Sequence, residues 1–375
     1  MQASATAAER HTRPPVRGWK ASSGRAARTL LAGLAGTALT ALPAFAQDAA
    51  PPVIAHGLSY MTGFGPKNYP VVSLLWGLII LSLLVVAVIG GLVLVGALLR
   101  RHAPPNGDIA SVPLERSGSG LSFIYIGIGI TFVLLLGFAV WNYQVLAAIA
   151  GPRRDMPVTI NVIGHQWWWE FQYSGPGRSG FTTANELHIP VGEPVKVTLH
   201  TADVIHSFWV PALTGKMDTI PGQNNTTWLQ ADNAGVYRGQ CTEYCGQQHA
   251  HMAFFVTAEP KQQFDAWWQQ QQQGPDFVKA NVPAQQAERG QNVFMQHCAV
   301  CHTVRGTMAH GKIGPDLSHL MQRQTIGAGT VPNKPGYLSG WISDPQHIKP
   351  GNYMPTLTLS AQDLSALRSF LQTLQ

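Results

Sequence analysis

The sequence predicts a multidomain protein: a hairpin of two transmembrane α-helices, then a β-sandwich, then a small all-α domain. Three observations carry this expectation. Two uncharged apolar runs, at 71–99 and 120–151, are each well beyond the ~20 residues that cross a hydrocarbon core. Between 156 and 259 the pattern changes to short β-rich segments bounded by turn formers. Past 283, helical periodicity flanks the motif Cys298-Ala-Val-Cys301-His302.

Composition agrees. A chain of 375 residues has room for two or three domains, and 45% hydrophobic against 12% charged residues points to membrane-embedded parts. The formal charge of +6 is concentrated at one end. Arg10, Arg13, Arg17, Lys20, Arg25 and Arg28 against Glu9 put +5 of it in residues 1–46. The remainder is close to neutral, so no nucleic-acid partner is expected. The four cysteines form two motif-like pairs, which argues against a structural disulfide framework.

Residues 1–46 read as a signal peptide. Arg25 and Arg28 precede a short, small-residue-rich apolar run that ends at Ala44-Phe45-Ala46, so cleavage is expected before Gln47. The basic region is long, which leaves a start downstream of Met1 open. Residues 47–155 hold the hairpin. Its first span is closed by Arg100-Arg101, and its second carries Trp141 and Tyr143 as interface anchors. The loop with Arg100, Arg101 and Arg116 is expected to face the cytoplasm, which places everything after Arg153 outside.

Strands are expected at 158–164, 187–191, 194–199, 235–239 and 253–257, where β-branched and aromatic residues lie between turn signals. Several short strands at this spacing predict a sandwich over 156–259.

The chemistry concentrates in Cys241-Thr-Glu-Tyr-Cys245-Gly-Gln-Gln-His249-Ala-His-Met252, with His206 upstream in Asp203-Val-Ile-His206-Ser-Phe. Two thiols, two imidazoles and a thioether are the soft and borderline ligands that copper prefers. They exceed the one Cys, two His and weak Met of a mononuclear blue-copper centre, so a second thiolate makes sense if two coppers share two sulfurs. Spacing alone leaves a Cys₂His₂ zinc site and a Cys241–Cys245 disulfide open. The run Trp167-Trp168-Trp169 at strand alternation reads as core plus one exposed ring.

The pattern C-x-E-x-C-G-x-x-H-x-x-M, preceded by D-V-x-H-S-x-x-V-P and by Gly215-Lys-Met-Asp-Thr-Ile-Pro-Gly222, resembles the dinuclear copper domain of cytochrome c oxidase subunit II. That resemblance implies a cupredoxin-like sandwich with the copper loop at one end. It implies His206, Cys241, Cys245, His249 and Met252 as side-chain ligands, with Glu243 giving its backbone carbonyl. It further implies magnesium held by Glu243 and Asp218 at a junction with subunit I, and Trp167 as the point where electrons enter. His165, His188, His200 and His251 are expected to be structural or surface residues.

Residues 260–283 read as a helix with Trp267-Trp268 and a glutamine run, then a linker broken by Gly274-Pro275 and Pro283. Cys298-x-x-Cys301-His302 is the c-type haem attachment signature, two thioethers plus a proximal imidazole. A thioredoxin-like redox pair is the competitor, but it expects a preceding βαβ unit that is missing here. Met354 is the expected sixth ligand, with Met308 and Met321 as rivals. Ile313-Gly-Pro315-Asp-Leu resembles the class I cytochrome c loop whose proline backs the proximal histidine. Ser360 with Asp363 forms a capping box, and Leu364, Leu367, Phe370, Leu371 and Leu374 share one helix face. Residues 284–375 thus resemble a cytochrome c domain fused to subunit II, as in oxidases of the caa type.

The resemblance implies the electron-input subunit of a proton-pumping haem–copper oxidase in a bacterial inner membrane. Its haem domain and copper centre face the periplasm, its partners are subunit I and further oxidase subunits, and a cytochrome c is the donor. The alternative is the same module in another terminal reductase, such as a nitric-oxide-reducing relative. A non-redox subunit like that of quinol oxidases would lack the copper ligands, and a copper chaperone would need no covalent haem.

Overall fold

The structure, a computed structural model, describes residues 55–99, 120–152, 154–277 and 282–375. The leader 1–46 and the basic loop with Arg100, Arg101 and Arg116 lie outside them.

Two helices, α1 (Tyr69–Leu98) and α2 (Gly120–Ile149), correspond to the apolar runs. Helix α1 starts slightly earlier than the apolar pattern suggested because Pro70 sits in its first turn, where a missing N–H costs nothing. Both are long and apolar enough to cross a membrane, and their most apolar windows face outward instead of into a protein core. At Gly77 an added methyl would lie 2.5 Å from the Trp141 ring, so the lack of a side chain there lets α2 seat its indole on α1. The indole nitrogen of Trp228 donates to the Ile149 carbonyl at 3.0 Å, tying the end of α2 to the extramembrane domain.

That domain opens with β1 (Ala55–His56) and continues through β2 (Thr159–His165), β3 (Trp168–Gly175), β4 (Arg178–Ala184), β5 (Glu186–Pro190), β6 (Val195–Thr201), β7 (His206–Trp209), β8 (Met217–Thr219), β9 (Asn225–Leu229), β10 (Gly235–Cys241) and β11 (Ala253–Glu259). One sheet runs β4-β3-β2-β6-β9; the other runs β5-β11-β10-β7-β8, with β1 beside β10. Period-2 alternation decides which faces meet. Ile160 and Val162 of β2 and Val195, Val197 and Leu199 of β6 point inward and are fully buried. Trp169 packs edge-on against Phe208 and Phe254, and burying such side chains stabilises the fold by roughly 1.5–3 kcal/mol each. Strands β4, β7, β8 and β9 go beyond the sequence expectation. They are short or rich in Ser, Thr and Gly, and ladder pairing sets their structure more than local pattern does.

Helix α3 (Lys261–Gln272) does more than connect. Phe264 and Trp268 belong to the sandwich core, and Trp267 packs edge-on against Tyr173 and Phe181.

The C-terminal domain has its own core. It comprises α4 (Ala284–His297), a two-strand ribbon of β12 (Thr325–Ile326) and β13 (Val331–Pro332), α5 (Pro335–Ser343), α6 (Pro345–Ile348) and α7 (Ala361–Gln372). Helices α4 and α7 cross closely: a methyl on Gly290 would sit 2.0 Å from the Ala366 carbonyl oxygen. Phe294, Leu367, Phe370, Leu371 and Leu374 fill the space between. Ser360 caps α7 by accepting from the Asp363 amide at 3.0 Å, as the capping box predicts.

Candidate functional site

The first site forms where β7 and β10 end side by side. Antiparallel pairing of Cys241 with Phe208 brings His206 and Cys241 to one end of the sandwich, and the following loop folds back through Cys245, His249 and Met252 to β11. The two sulfurs lie 3.8 Å apart, closer than neighbouring ligands would sit by chance and too far for a disulfide. The other donors divide between them. Around Cys241 Sγ stand His206 Nδ1 at 3.9 Å and the Glu243 carbonyl oxygen at 3.3 Å. Around Cys245 Sγ stand His249 Nδ1 at 3.5 Å and Met252 Sδ at 3.8 Å. His206, Cys241 and Cys245 are buried, with ligand atoms within 4.8 Å of one another. The donor chemistry fits copper: soft sulfurs and imidazole nitrogens converge, with His206, Cys241, Cys245 and Met252 buried.

Electrostatics here follow from burial and close contact. Each sulfur favours a proton on the other, so the pair shares one: Cys241 is held well below the ordinary thiol value and Cys245 is pushed far above it. Burial works against a charged His206, but bonds to Asp203 and Cys241 outweigh it and raise its pKa. His206 Nε2 donates to Asp203 Oδ1 at 2.7 Å, leaving Nδ1 to face the sulfurs. Gly164 completes the fit, since a methyl there would lie 2.6 Å from His206 Cδ2.

Of the remaining expected residues, Glu243 and Asp218 are exposed, Asp218 lying on β8 beside β7. Trp167 is only 8% exposed. Its indole nitrogen donates to the Cys245 carbonyl at 3.0 Å, and Gln166 Nε2 donates to the same oxygen at 2.7 Å. His165 pairs with Glu170 at 3.1 Å and His188 with Glu259 at 3.2 Å, the structural roles expected of them.

The second site is a cavity of about 240 Å³, far more than the roughly 10–15 Å³ one water needs. Cys298, Cys301, His302 and Met354 all line it; Met308 and Met321 do not. Met308 is 83% exposed, which removes it as a ligand. His302 Nδ1 donates to the Pro315 carbonyl at 2.8 Å, so Nε2 is the nitrogen left for iron, and Pro315 backs the ring as the sequence suggested. A methyl on Gly314 would lie 2.6 Å from His302 Cε1. Burial pushes Cys298 up to about 12, a burden that vanishes once the sulfur is a thioether. The lining is mainly apolar and holds no carboxylate, which suits an apolar macrocycle that itself carries carboxylates.

The two sites share a wall. Gln166, Trp167 and Trp168 line this cavity alongside Tyr353 and Met354. Tyr353 stacks on Trp167 with ring centroids 6.5 Å apart, and its hydroxyl bonds Gln166 Oε1 at 3.1 Å. Further bonds join the domains: the Ala253 amide to the Ala328 carbonyl at 3.1 Å, the Gln324 amide to Glu186 Oε1 at 2.6 Å, and Gln248 Nε2 to the Pro350 carbonyl at 2.8 Å. Sequence reasoning missed this shared wall. Asp203, three residues before His206, was the one partner a local pattern could have flagged.

Comparison with known proteins identifies the family of each domain. Residues 176–259 match the family described as cytochrome c oxidase subunit II, periplasmic domain, and residues 287–375 match the cytochrome c family. Cytochrome c oxidase subunit 2 of Alkalihalophilus pseudofirmus is 35% identical over 326 residues, covering 85% of this chain and 92% of that protein. The subunit of the same description from Bacillus sp. strain PS3 is 33% identical over 287 residues, covering 72% and 79%. Among solved structures, the periplasmic domain of subunit II of cytochrome oxidase from Bradyrhizobium japonicum is 32% identical, covering 32% of this chain and 96% of that one, with a TM-score of 0.30. A copper-binding sandwich, a haem c domain and two apolar anchor helices thus lie in one chain, and the chain belongs to the cytochrome c oxidase subunit 2 family, as a member that carries its own cytochrome c domain.

Proposed function

We propose that this chain is the electron-input subunit of a proton-pumping cytochrome c oxidase, taking electrons from a cytochrome c and delivering them to the haem of subunit I, where oxygen is reduced to water. Bound haem and paired coppers supply one-electron chemistry that no side chain offers. The chain's own residues hold, insulate and connect them. Cys298, Cys301, His302 and Met354 hold the haem. His206, Cys241, Cys245, His249, Met252 and the Glu243 carbonyl hold a dinuclear copper centre, and the division of donors between the two sulfurs supports two metals over one. Exposed Glu243 and Asp218 are left for magnesium at a surface that subunit I completes.

The observation that carries this reading is Trp167. Its ring lines the haem cavity while its nitrogen bonds the Cys245 carbonyl, so one side chain touches both sites. In this reading electrons cross within the chain, and the external donor meets the haem domain. Its boundaries are leader 1–46, hairpin 47–155, copper domain 156–259, helix and linker 260–283 and haem domain 284–375, in a bacterial inner membrane with both cofactor domains on the periplasmic side.

Electron paramagnetic resonance of the oxidised, copper-loaded protein tests the centre. A hyperfine pattern from one electron shared by two nuclei is expected, and a single-copper pattern would overturn the dinuclear assignment. Oxygen uptake with proton release by the assembled oxidase tests the role, and normal turnover after Cys241→Ser would sink it.

A further inference from the structure

Lys349 is the most deeply buried lysine among the described residues. It follows α6, is 2% exposed, and no carboxylate forms a salt bridge with it among the described residues. Instead its Nζ donates to three backbone carbonyls: Trp167 at 2.7 Å, His251 at 2.8 Å and Gly327 at 2.9 Å. These belong to three separate segments: the turn between β2 and β3, the copper loop just before Met252, and the wall of the haem cavity. An ammonium has one proton for each, and its compact tetrahedral head fits three converging oxygens where a flat guanidinium would not. A buried charge is costly unless it is fully hydrogen-bonded, so this arrangement is specific to the docked domains.

The same residue is rigidly joined to the haem site. Asn352 Nδ2 donates to the carbonyls of Pro345 and Lys349, and Asn352 Oδ1 accepts from the Met354 amide at 2.8 Å. Gln346 Nε2 donates to the Met354 carbonyl at 2.8 Å. A displacement of Lys349 is therefore passed to Met354 on one side and to Trp167 on the other.

We infer that Lys349 is a positioning residue for electron transfer between the haem and copper sites, its three bonds fixing the Trp167 ring at once against the haem cavity and the copper loop. The inference rests on the electron route given under Proposed function. It adds the one side chain that joins the Trp167 turn, the copper loop and the wall of the haem cavity, beside the pairwise contacts across the interface.

The test uses the assembled oxidase carrying Lys349→Met, which keeps the volume of the side chain and removes its donors. Two quantities are read: the rate of haem-to-copper transfer after flash photoreduction of the haem by a ruthenium complex, and hydrogen exchange at the Ala253 amide, which bonds Ala328 across the interface. Lys349→Met is expected to slow transfer by about tenfold to a hundredfold, the scale on which an ångström of misplacement tells. The Ala253 amide should exchange faster, while haem absorption, the copper resonance and the rate of haem reduction by donor stay as in the wild type. Unchanged transfer overturns the inference, and so does slowed transfer with unchanged Ala253 protection. If the methionine variant loses either cofactor, Lys349→Gln, which keeps two donors, is read in the same way and should fall between the two. A wild-type protein without haem-to-copper transfer would overturn the route itself, and exchange at Ala253 would then decide whether Lys349 fixes the interface.

Discussion

The indole nitrogen of Trp167 donates to the carbonyl oxygen of Cys245 at 3.0 Å, while a face of the same ring stacks on Tyr353 and the residue lines the haem cavity. Trp167→Phe keeps an aromatic ring there but removes the indole N–H that reaches the Cys245 carbonyl, leaving the Gln166 side-chain amide on that oxygen. Haem-to-copper transfer is expected to slow by about tenfold or more, with copper content unchanged. Flash photolysis with copper analysis reads both.

Asp203 orients His206. Its Oδ1 accepts from His206 Nε2 and its Oδ2 accepts from the Gln166 amide at 2.7 Å, so both oxygens are in use. The Val204 amide also donates to Oδ1 at 2.7 Å, so Asp203→Asn leaves one acceptor oxygen for three donors. Copper affinity is expected to fall about tenfold to a hundredfold, the usual cost of losing an outer partner of a metal-bound histidine. Titration against a copper chelator measures it.

Gly314 lies against the flat face of His302, with 2.9 Å between an added methyl and Nδ1. Gly314→Ala should push the ring off the Pro315 carbonyl and weaken the proximal bond. The absorption spectrum of the haem and its midpoint potential should both shift, while the copper resonance stays as in the wild type. A haem spectrum and potential identical to wild type would contradict the packing described for His302.

Glu186 holds the ribbon of the haem domain by accepting from the amides of Gln324 and Thr325. Burial raises its pKa above the ordinary carboxylate value. The sign follows: docking binds a proton that free carboxylate would release, so the contact weakens as pH rises from about 4.5 through the raised value. Protection of the Gln324 amide should fall over that range in the wild type and stay level in Glu186→Gln. Glu186→Ala leaves the part-buried amides of Gln324 and Thr325 without that acceptor and should cost about 1 kcal/mol.

The motifs were legible because each lies within a few residues. The loop from Cys241 to Met252 needs one tight turn to converge, and Cys298 to His302 needs about one helical turn; in both, spacing and geometry are nearly the same information. The apolar spans were legible for the same reason, since length and absence of charge are local. Strands β7 and β8 were not, because four and three residues carry no period of their own. The shared wall was hidden more deeply. Lys349 and Trp167 are 182 positions apart, and a lysine before Pro-Gly reads as a solvated turn residue until two domain surfaces meet around it. Gly164 and Gly314 were silent too, for what matters about each is the side chain it lacks beneath a histidine from elsewhere in the chain.

The stretch 349–354 ties the two domains through one short segment: the lysine at its start bonds the copper loop, and the methionine at its end lines the haem cavity. With the haem domain cut away, the carbonyls of Trp167 and His251 lose that donor, and the cavity loses the wall formed by Gln166, Trp167 and Trp168. Each domain therefore supplies part of the surroundings the other needs, and a separately prepared half is an incomplete one.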